Sequence, residues 1–440
     1  MSSRKIGIDA IAIAVPRTFL EGAELATARG VPPSKYEKGL GVRRLAIAGP
    51  EDDPVTLATN AARRLLRSAD IDPRTIGMCV VGTETAVDHS KPIASYVHGM
   101  LGLPAACRVF ETKHACYGAT AAIMSAVEWI ASGAARGRAA LVIATDIARY
   151  EMGSPGEPTQ GAGAVAVLVT EDPRLLELEV GRSGTFARDV HDFWRPLHRK
   201  DALVDGHFSV QCYLDALAGA FEGFTSLDRE DGTPDPLVRT CYHVPYGKMA
   251  QKAHRRRLAS EGVGDADADA RFAREVEPSL AFSAEIGNVY TASLWLALAS
   301  LLHGHAAELE GERIGLFSYG SGCGAEFFAG RVARGAGAFV RLLDLAAPLE
   351  SRVRLTVEEY EALRRGEIDA DRRRAPEPEE RARSSSDVDS DAIFLGVDEN
   401  ERRVYADVRI AAERVSCVDV IDDDRATTNA TCERVSIVAA

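Results

Sequence analysis

The stretch Glu111-Thr112-Lys113-His114-Ala115-Cys116-Tyr117-Gly118-Ala119-Thr120 places one cysteine among small neighbours at the head of an Ala-rich segment, Gly118 to Trp129, with helical spacing. A thiol at such a strand-to-helix junction points at unpaired backbone N–H groups and at the positive end of the helix dipole. Both features favour thiolate over thiol, and a thiolate is the nucleophile that acyl transfer needs. A lone cysteine more often serves as a small buried hydrophobe. The functional reading therefore depends on the residues that accompany Cys116.

Working outward, short apolar runs bounded by Gly, Thr or charged residues read as buried strands at Met78–Gly82, Ala139–Ala144 and Ala164–Val169. Helical patterns alternate with them at Pro54–Ser68, Ser90–Leu101 and Ala119–Ser132. This alternation predicts an α/β layered fold with helices on both faces of the sheets. The second half repeats the theme: a helix at Thr291–His303, a strand at Arg313–Ser318, the turn Tyr319-Gly320-Ser321-Gly322-Cys323-Gly324, and a strand over Gly324–Ala329. A strand ending in a Gly/Ser turn in each half hints at two pseudo-duplicated units. Asp265–Glu275 reads as a solvated helix or loop, and Arg372–Asp391 as a mobile segment poor in apolar residues. Strands are expected again over Ala392–Val397 and Arg403–Ile410. Three parts follow: 1–172, 173–346 and 347–440.

The chain has 440 residues, 46% hydrophobic and 27% charged, enough to bury a large core. A formal net charge of −13 argues against nucleic acid or an anionic membrane as the main partner. Eight scattered cysteines without metal-ligand spacing read as reduced thiols in a cytosolic protein, with no metal site expected. No apolar run is long enough to span a membrane.

Four further segments carry polar groups at element ends. Glu84 follows a buried strand and is either a cap or an acid/base; Asp88 and Ser90 are the better caps for the next helix. His243 precedes a basic helix containing Lys248, Lys252, His254, Arg255, Arg256 and Arg257, which could form a solvated face or dock a phosphorylated ligand. Asn288 lies between a glycine and an Ala-rich helix, and the Ser318–Gly322 turn can aim backbone N–H groups at an oxyanion. Cys, His and Asn together suit thioester chemistry, with Glu84 as base for a carbon acid.

In these segments the chain resembles the hydroxymethylglutaryl-CoA synthases of the thiolase-like superfamily. The resemblance rests on Gly82-Thr83-Glu84, Ala115-Cys116-Tyr117-Gly118, His243-Val244-Pro245-Tyr246, Gly287-Asn288-Val289-Tyr290 and Phe317-Ser318-Tyr319-Gly320-Ser321-Gly322. Asp192-Phe193-Trp194-Arg195-Pro196 and Ser209-Val210-Gln211-Cys212-Tyr213 are further landmarks. It covers roughly residues 6–345 and the strand pair Phe394–Tyr405. It implies a thiolase-like fold, two α/β halves in an α-β-α-β-α stack. It also implies a Claisen-type condensation of acetyl-CoA with acetoacetyl-CoA and no cofactor. Glu84, Cys116 and His243 would be catalytic. Asn288, Ser321, Tyr319, Ser209 and Thr159 would contact substrate, Lys248 and Lys252 would meet CoA, and the chain would be a homodimer. Pro32-Pro33 and Pro155 depart from the family pattern at nucleotide-contacting segments, and the tail after Ala406 is longer than in bacterial-type members. A polyketide-branching relative acting on acyl carrier proteins shares the same three catalytic groups. A β-ketoacyl synthase III shares Cys, His and Asn but has no need of a base such as Glu84.

Overall fold

The computed structural model describes residues 4–230, 235–370 and 391–408. Its centre is a nine-stranded sheet: β1 (Ile6–Ala14), β2 (Ile76–Gly82), β3 (Arg108–Thr112), β4 (Ala139–Ala148), β5 (Gly161–Glu171), β6 (Leu176–Ala187), β7 (Arg239–Tyr242), β8 (Arg313–Gly320) and β9 (Gly324–Val332). Their spatial order is β7-β8-β9-β6-β1-β5-β4-β2-β3. Most of these strands are apolar along their whole length because both faces are covered.

The pairing pattern establishes the duplication that sequence identity does not show. In the first half β1 runs antiparallel to β5, β5 antiparallel to β4, and β4 parallel to β2. In the second half β6 runs antiparallel to β9, β9 antiparallel to β8, and β8 parallel to β7. Only β3, parallel to β2 at the outer edge, lacks a counterpart among the described residues. The halves join through the short β1–β6 contact at Gly7–Glu177 and Ile8–Leu176.

Helices complete the layers. Among those that position the site or cover the sheets are α1 (Pro54–Ser68), α2 (Gly118–Ala131), α3 (Gly206–Glu230), α4 (Gly247–Ser260) and α6 (Ser293–His305), with α5 (Asp265–Glu275) against α4. α1 packs on β1, β4 and β5, and α3 on β6, β8 and β9, so each covers one half from outside. α2 touches β2, β4 and β5 but also β6, while α6 touches β7 and β8 but also β1. These two therefore form the shared middle layer, and the stack is α-β-α-β-α. α6 is buried from Ser293 to Leu302, as a helix between two sheets must be.

The segment after residue 346 returns to the first half. Asp53 caps α1 through the Thr56 amide at 2.8 Å, and its other oxygen accepts from Arg403 and from the Tyr405 hydroxyl at 2.8 Å. Arg403 and Tyr405 lie on the hairpin Asp391–Val397/Arg403–Val408, which thereby closes over α1. The expected mobile segment lies almost wholly outside the described residues, as does the tail from 409 onward. No helix among the described residues is long and apolar enough to cross a membrane.

Asp53→Ala removes the cap and leaves the Arg403 guanidinium without its carboxylate. It should destabilise the chain by about 3 kcal/mol in urea unfolding, with Asp53→Asn losing less because the cap survives.

Candidate active site

The strand ends that carry the site press on one elbow. Gly82, at the end of β2, approaches the start of α2 so closely that a Cβ would stand 2.4 Å from the Ala119 Cα. Gly320, at the end of β8, would place a Cβ 2.5 Å from the His114 carbonyl oxygen. Only glycine fits at either point. Ala115 takes a left-handed φ of 38°, and the chain turns there to present Cys116 just before α2. Glu84, two residues past Gly82, then reaches the thiol: Cys116 Sγ donates to Glu84 Oε1 at 3.6 Å.

A buried carboxylate that sequence reading passed over organises these groups. One oxygen of Asp146 accepts from Thr83 Oγ1 (3.0 Å), the Glu84 amide (2.9 Å) and Thr85 Oγ1 (2.8 Å). The other accepts from the Thr291 amide (3.0 Å) and hydroxyl (2.6 Å). Its one sequence signal is an acid within the apolar strand β4. Thr291 follows Asn288, whose Oδ1 accepts from the Tyr290 amide and from Ser293 Oγ, both at 2.9 Å. With its oxygen occupied, the Asn288 amide nitrogen is the group left to donate.

His243 extends β7 beside β8, its amide donating to the Phe317 carbonyl at 2.8 Å. It is buried, and its Nδ1 has no hydrogen-bond partner among the described residues. The Tyr213 hydroxyl donates to its carbonyl at 2.8 Å, and the Tyr213 ring lies 5.0 Å from that of Tyr319. A second buried carboxylate, Asp192, holds the Gly/Ser turn. It accepts from the Gly322 amide at 2.9 Å, the Tyr319 hydroxyl at 2.6 Å and Ser209 Oγ at 3.4 Å. Tyr319 and Ser209 thus donate their hydroxyls to Asp192, beside the turn that carries Ser321. Around the thiol, Cys116, Ala148, Tyr150 and Tyr290 form a buried cluster, with Phe193 and Ala202 against it.

The electrostatics correct one expectation. Burial, then the charges of Glu84 and Asp146, hold the Cys116 thiol well above its ordinary range. These outweigh the helix dipole, so the resting group is a neutral thiol. Burial, reinforced by Asp146, pushes Glu84 up to about 8, while Arg195 opposes the rise; Arg195 also donates to the Glu84 carbonyl. Burial alone pushes His243 down to about 3, so its ring is neutral.

The basic helix is also smaller than the sequence implied. His254 and Arg257 of α4 turn inward to Glu275 of α5, and Arg255 pairs with Asp269. Lys248, bonded to Gln251, and Lys252 remain exposed one turn apart. Glu275 is buried, yet its hydrogen-bonded and cationic partners hold it down at about 2, so α5, a largely exposed helix as the sequence implied, is also pinned to α4 at this carboxylate. Thr159 donates its hydroxyl to Gly156 and accepts the Asn288 amide at 2.9 Å, so it fixes Asn288 through the backbone. Asp88 bonds the Ser90 and Lys91 amides, whereas the helix Ile93–Met100 receives its N-terminal partner from Glu111.

A buried cysteine at a helix head, a neutral histidine, an asparagine amide and a carboxylate with raised pKa, carried on a duplicated five-layer fold, define a thioester-condensing enzyme of the thiolase-like class. The family model described as hydroxymethylglutaryl-coenzyme A synthase N terminal matches residues 2–173, and its C-terminal companion matches 176–271 and 260–408. The chain belongs to the hydroxymethylglutaryl-CoA synthase family. It is 38% identical over 369 residues to a hydroxymethylglutaryl-CoA synthase of Enterococcus faecalis, covering 83% of this chain and 93% of that protein. A structure of MvaS in complex with 3-hydroxy-3-methylglutaryl coenzyme A superposes with a TM-score of 0.84 at 46% identity, covering 92% of this chain and 99% of that one. The curacin-pathway HMG synthase bound to a holo donor carrier protein gives 0.83 at 31% identity, covering 92% and 100%.

Because the charge of Glu84 raises the thiol, Glu84→Gln should speed alkylation of Cys116 by iodoacetamide several-fold at pH 9, where Glu84 is ionised. Timed intact-mass spectra measure this directly.

Proposed function

We propose that this chain condenses acetyl-CoA with acetoacetyl-CoA and water to give 3-hydroxy-3-methylglutaryl-CoA and free CoA, the step that feeds mevalonate synthesis. The observation that carries the proposal is the Cys116–Glu84 contact at 3.6 Å, which sets a nucleophile and a raised-pKa base at one acyl carbon. Cys116 Sγ attacks the acetyl carbonyl, and its proton ends on the departing CoA sulfur. Glu84 then takes a proton from the acetyl methyl, whose acidity the thioester raises. The resulting carbanion equivalent bonds to the ketone carbon of acetoacetyl-CoA. The neutral His243 ring hydrogen-bonds the ketone oxygen as it becomes an alkoxide, and the proton held by Glu84 is relayed through the imidazole to make the hydroxyl. Asn288 donates to a thioester carbonyl, as does the Ser321 amide of the turn whose Gly322 amide Asp192 holds. Water, activated by the regenerated Glu84, cleaves the Cys116 thioester and restores the thiol.

In this reading the groups that react are side chains alone, with no metal or organic cofactor, and the exposed Lys248 and Lys252 meet the CoA phosphates. The reaction draws on free acyl-CoA in the cytosol. The exposed edge β3 supports a homodimer in which two copies pair edge to edge, because an unpaired strand edge is otherwise a liability. Light scattering should then give twice the 47.2 kDa chain mass; a monomer would refute it.

Mixing the protein with acetyl-CoA, and separately with an acetylated carrier protein, tests the donor by intact mass. Acetyl-CoA should add one acetyl group to the wild type and none to Cys116→Ala. Labelling from the carrier protein alone would assign the chain to polyketide branching. No labelling from either would sink the mechanism. Glu84→Ala should still be acetylated, since its loss removes a charge that opposes thiolate, while condensation falls by roughly a thousand-fold or more. Wild-type condensation should rise with pH as Glu84 deprotonates near 8 and fade below it.

A further inference from the structure

The helix Val357–Ala370, here α7, lies outside the duplicated core, yet one of its side chains reaches two walls of the cysteine pocket. Arg364 is buried, its side chain 7% exposed. Its Nη2 donates to the Tyr150 carbonyl at 3.0 Å and stands 3.5 Å from Asp201. Its Nη1 donates to Gln160 Oε1 at 2.8 Å. Tyr150 belongs to the buried cluster around Cys116, and Ala202, next to Asp201, packs against that cluster. Gln160 adjoins Thr159, whose carbonyl holds the Asn288 amide. One guanidinium thus joins the segment 149–160 to the segment 193–204 from behind.

The same helix locks the first of these segments a second time. Tyr360 accepts from Gln160 Nε2 at 2.6 Å and donates to Glu157 at 3.0 Å, and Glu157 is gripped by Arg29 through two bonds of 2.8 Å. The segment 149–160 is therefore fixed by Arg29 and Tyr360 even without Arg364. Residues 193–204 meet Arg364 through Asp201, and Phe193 of the same segment packs edge-on to the Tyr150 ring with centroids 6.5 Å apart.

We propose that Arg364 is a positioning residue that sets acyl-chain selectivity: by tying the Tyr150 and Ala202 walls together it closes the pocket around Cys116 to the size of an acetyl group. The inference rests on the reading of Cys116 as the acyl acceptor. Rings at Tyr150, Tyr290 and Phe193 surround the thiol, with centroids 6.4 Å apart for Tyr150–Tyr290 and 5.7 Å for Phe193–Tyr290. A longer acyl chain needs one of these walls to move. Between the walls that Arg364 spans, the carbonyl of Tyr150 and the carboxylate of Asp201 repel each other once the cation between them is gone. Removing Arg364 should therefore open the gap rather than merely loosen it.

The test is acylation of Cys116 by acetyl-CoA and by propionyl-CoA, followed by intact mass on the full-length chain. For Arg364→Ala the preference for acetyl over propionyl should fall at least ten-fold, with propionylation faster than in the wild type. Arg364→Lys, which keeps the charge and one or two of the bonds, should recover part of the preference. Asp201→Asn, at a half-exposed site where folding is not at stake, should narrow the preference in the same direction by a smaller factor. A general structural role would slow both acyl donors equally and leave their ratio unchanged. That result, in Arg364→Ala or, if that variant is insoluble, in Asp201→Asn, overturns the proposal. Failure of the wild type to accept either acyl group would instead overturn the reading of Cys116, a distinct outcome.

Discussion

Five donors converge on the carboxylate of Asp146, and the site depends on them. A buried charge is tolerated only when its lone pairs are filled. Here one oxygen takes its donors from the segment 83–85 of the first half, and the other takes both from Thr291 of the second. The two halves are therefore held in register where their strand ends meet, next to Glu84 of one and Asn288 of the other. The left-handed backbone at Tyr290 directly precedes Thr291, which two of these bonds hold.

The same carboxylate bears on the charges. Burial raises Asp146 itself while its hydrogen-bond donors oppose the rise, and burial, reinforced by the charge of Asp146, pushes Glu84 and Cys116 toward their protonated forms. His243 is neutral for the simpler reason that it is dry. In the proposed reaction negative charge appears on the thiol, on the methyl carbon and on the ketone oxygen only as the reaction proceeds. Environments that push neighbouring groups apart in pKa are how one small pocket holds both an acid and a base.

Much of this was legible in the sequence. Helix α1 was expected over Pro54–Ser68 and occupies those residues; the strands at 139, 313 and 324 begin where the pattern breaks. Buried parallel strands betray themselves as continuous apolar runs, and Gly82, Cys116 and Gly320 mark the turns. The polar supports were not legible. Asp146 reads as one acid in an apolar strand, and Glu275 as one charge among many in a charged helix; only tertiary neighbours separate a buried hub from a solvated side chain. The thiolate expectation failed for the same reason, since the helix dipole is visible in sequence but two carboxylates brought to Cys116 from residues 84 and 146 are not. Arg364 lies about 250 residues from the cysteine whose pocket it closes, beyond any local pattern.

In the proposed reaction Glu84 removes a proton from the acetyl methyl group while that group is held by Cys116, and everything after acylation depends on this step. The direct measurement is deuterium exchange into the methyl of acetyl-CoA in heavy water, followed by mass spectrometry, with an acceptor analogue that lacks the ketone and so cannot condense. The account predicts exchange in the wild type and its loss in Glu84→Gln, with the acetyl label on Cys116 retained in both. Undiminished exchange in Glu84→Gln would contradict it.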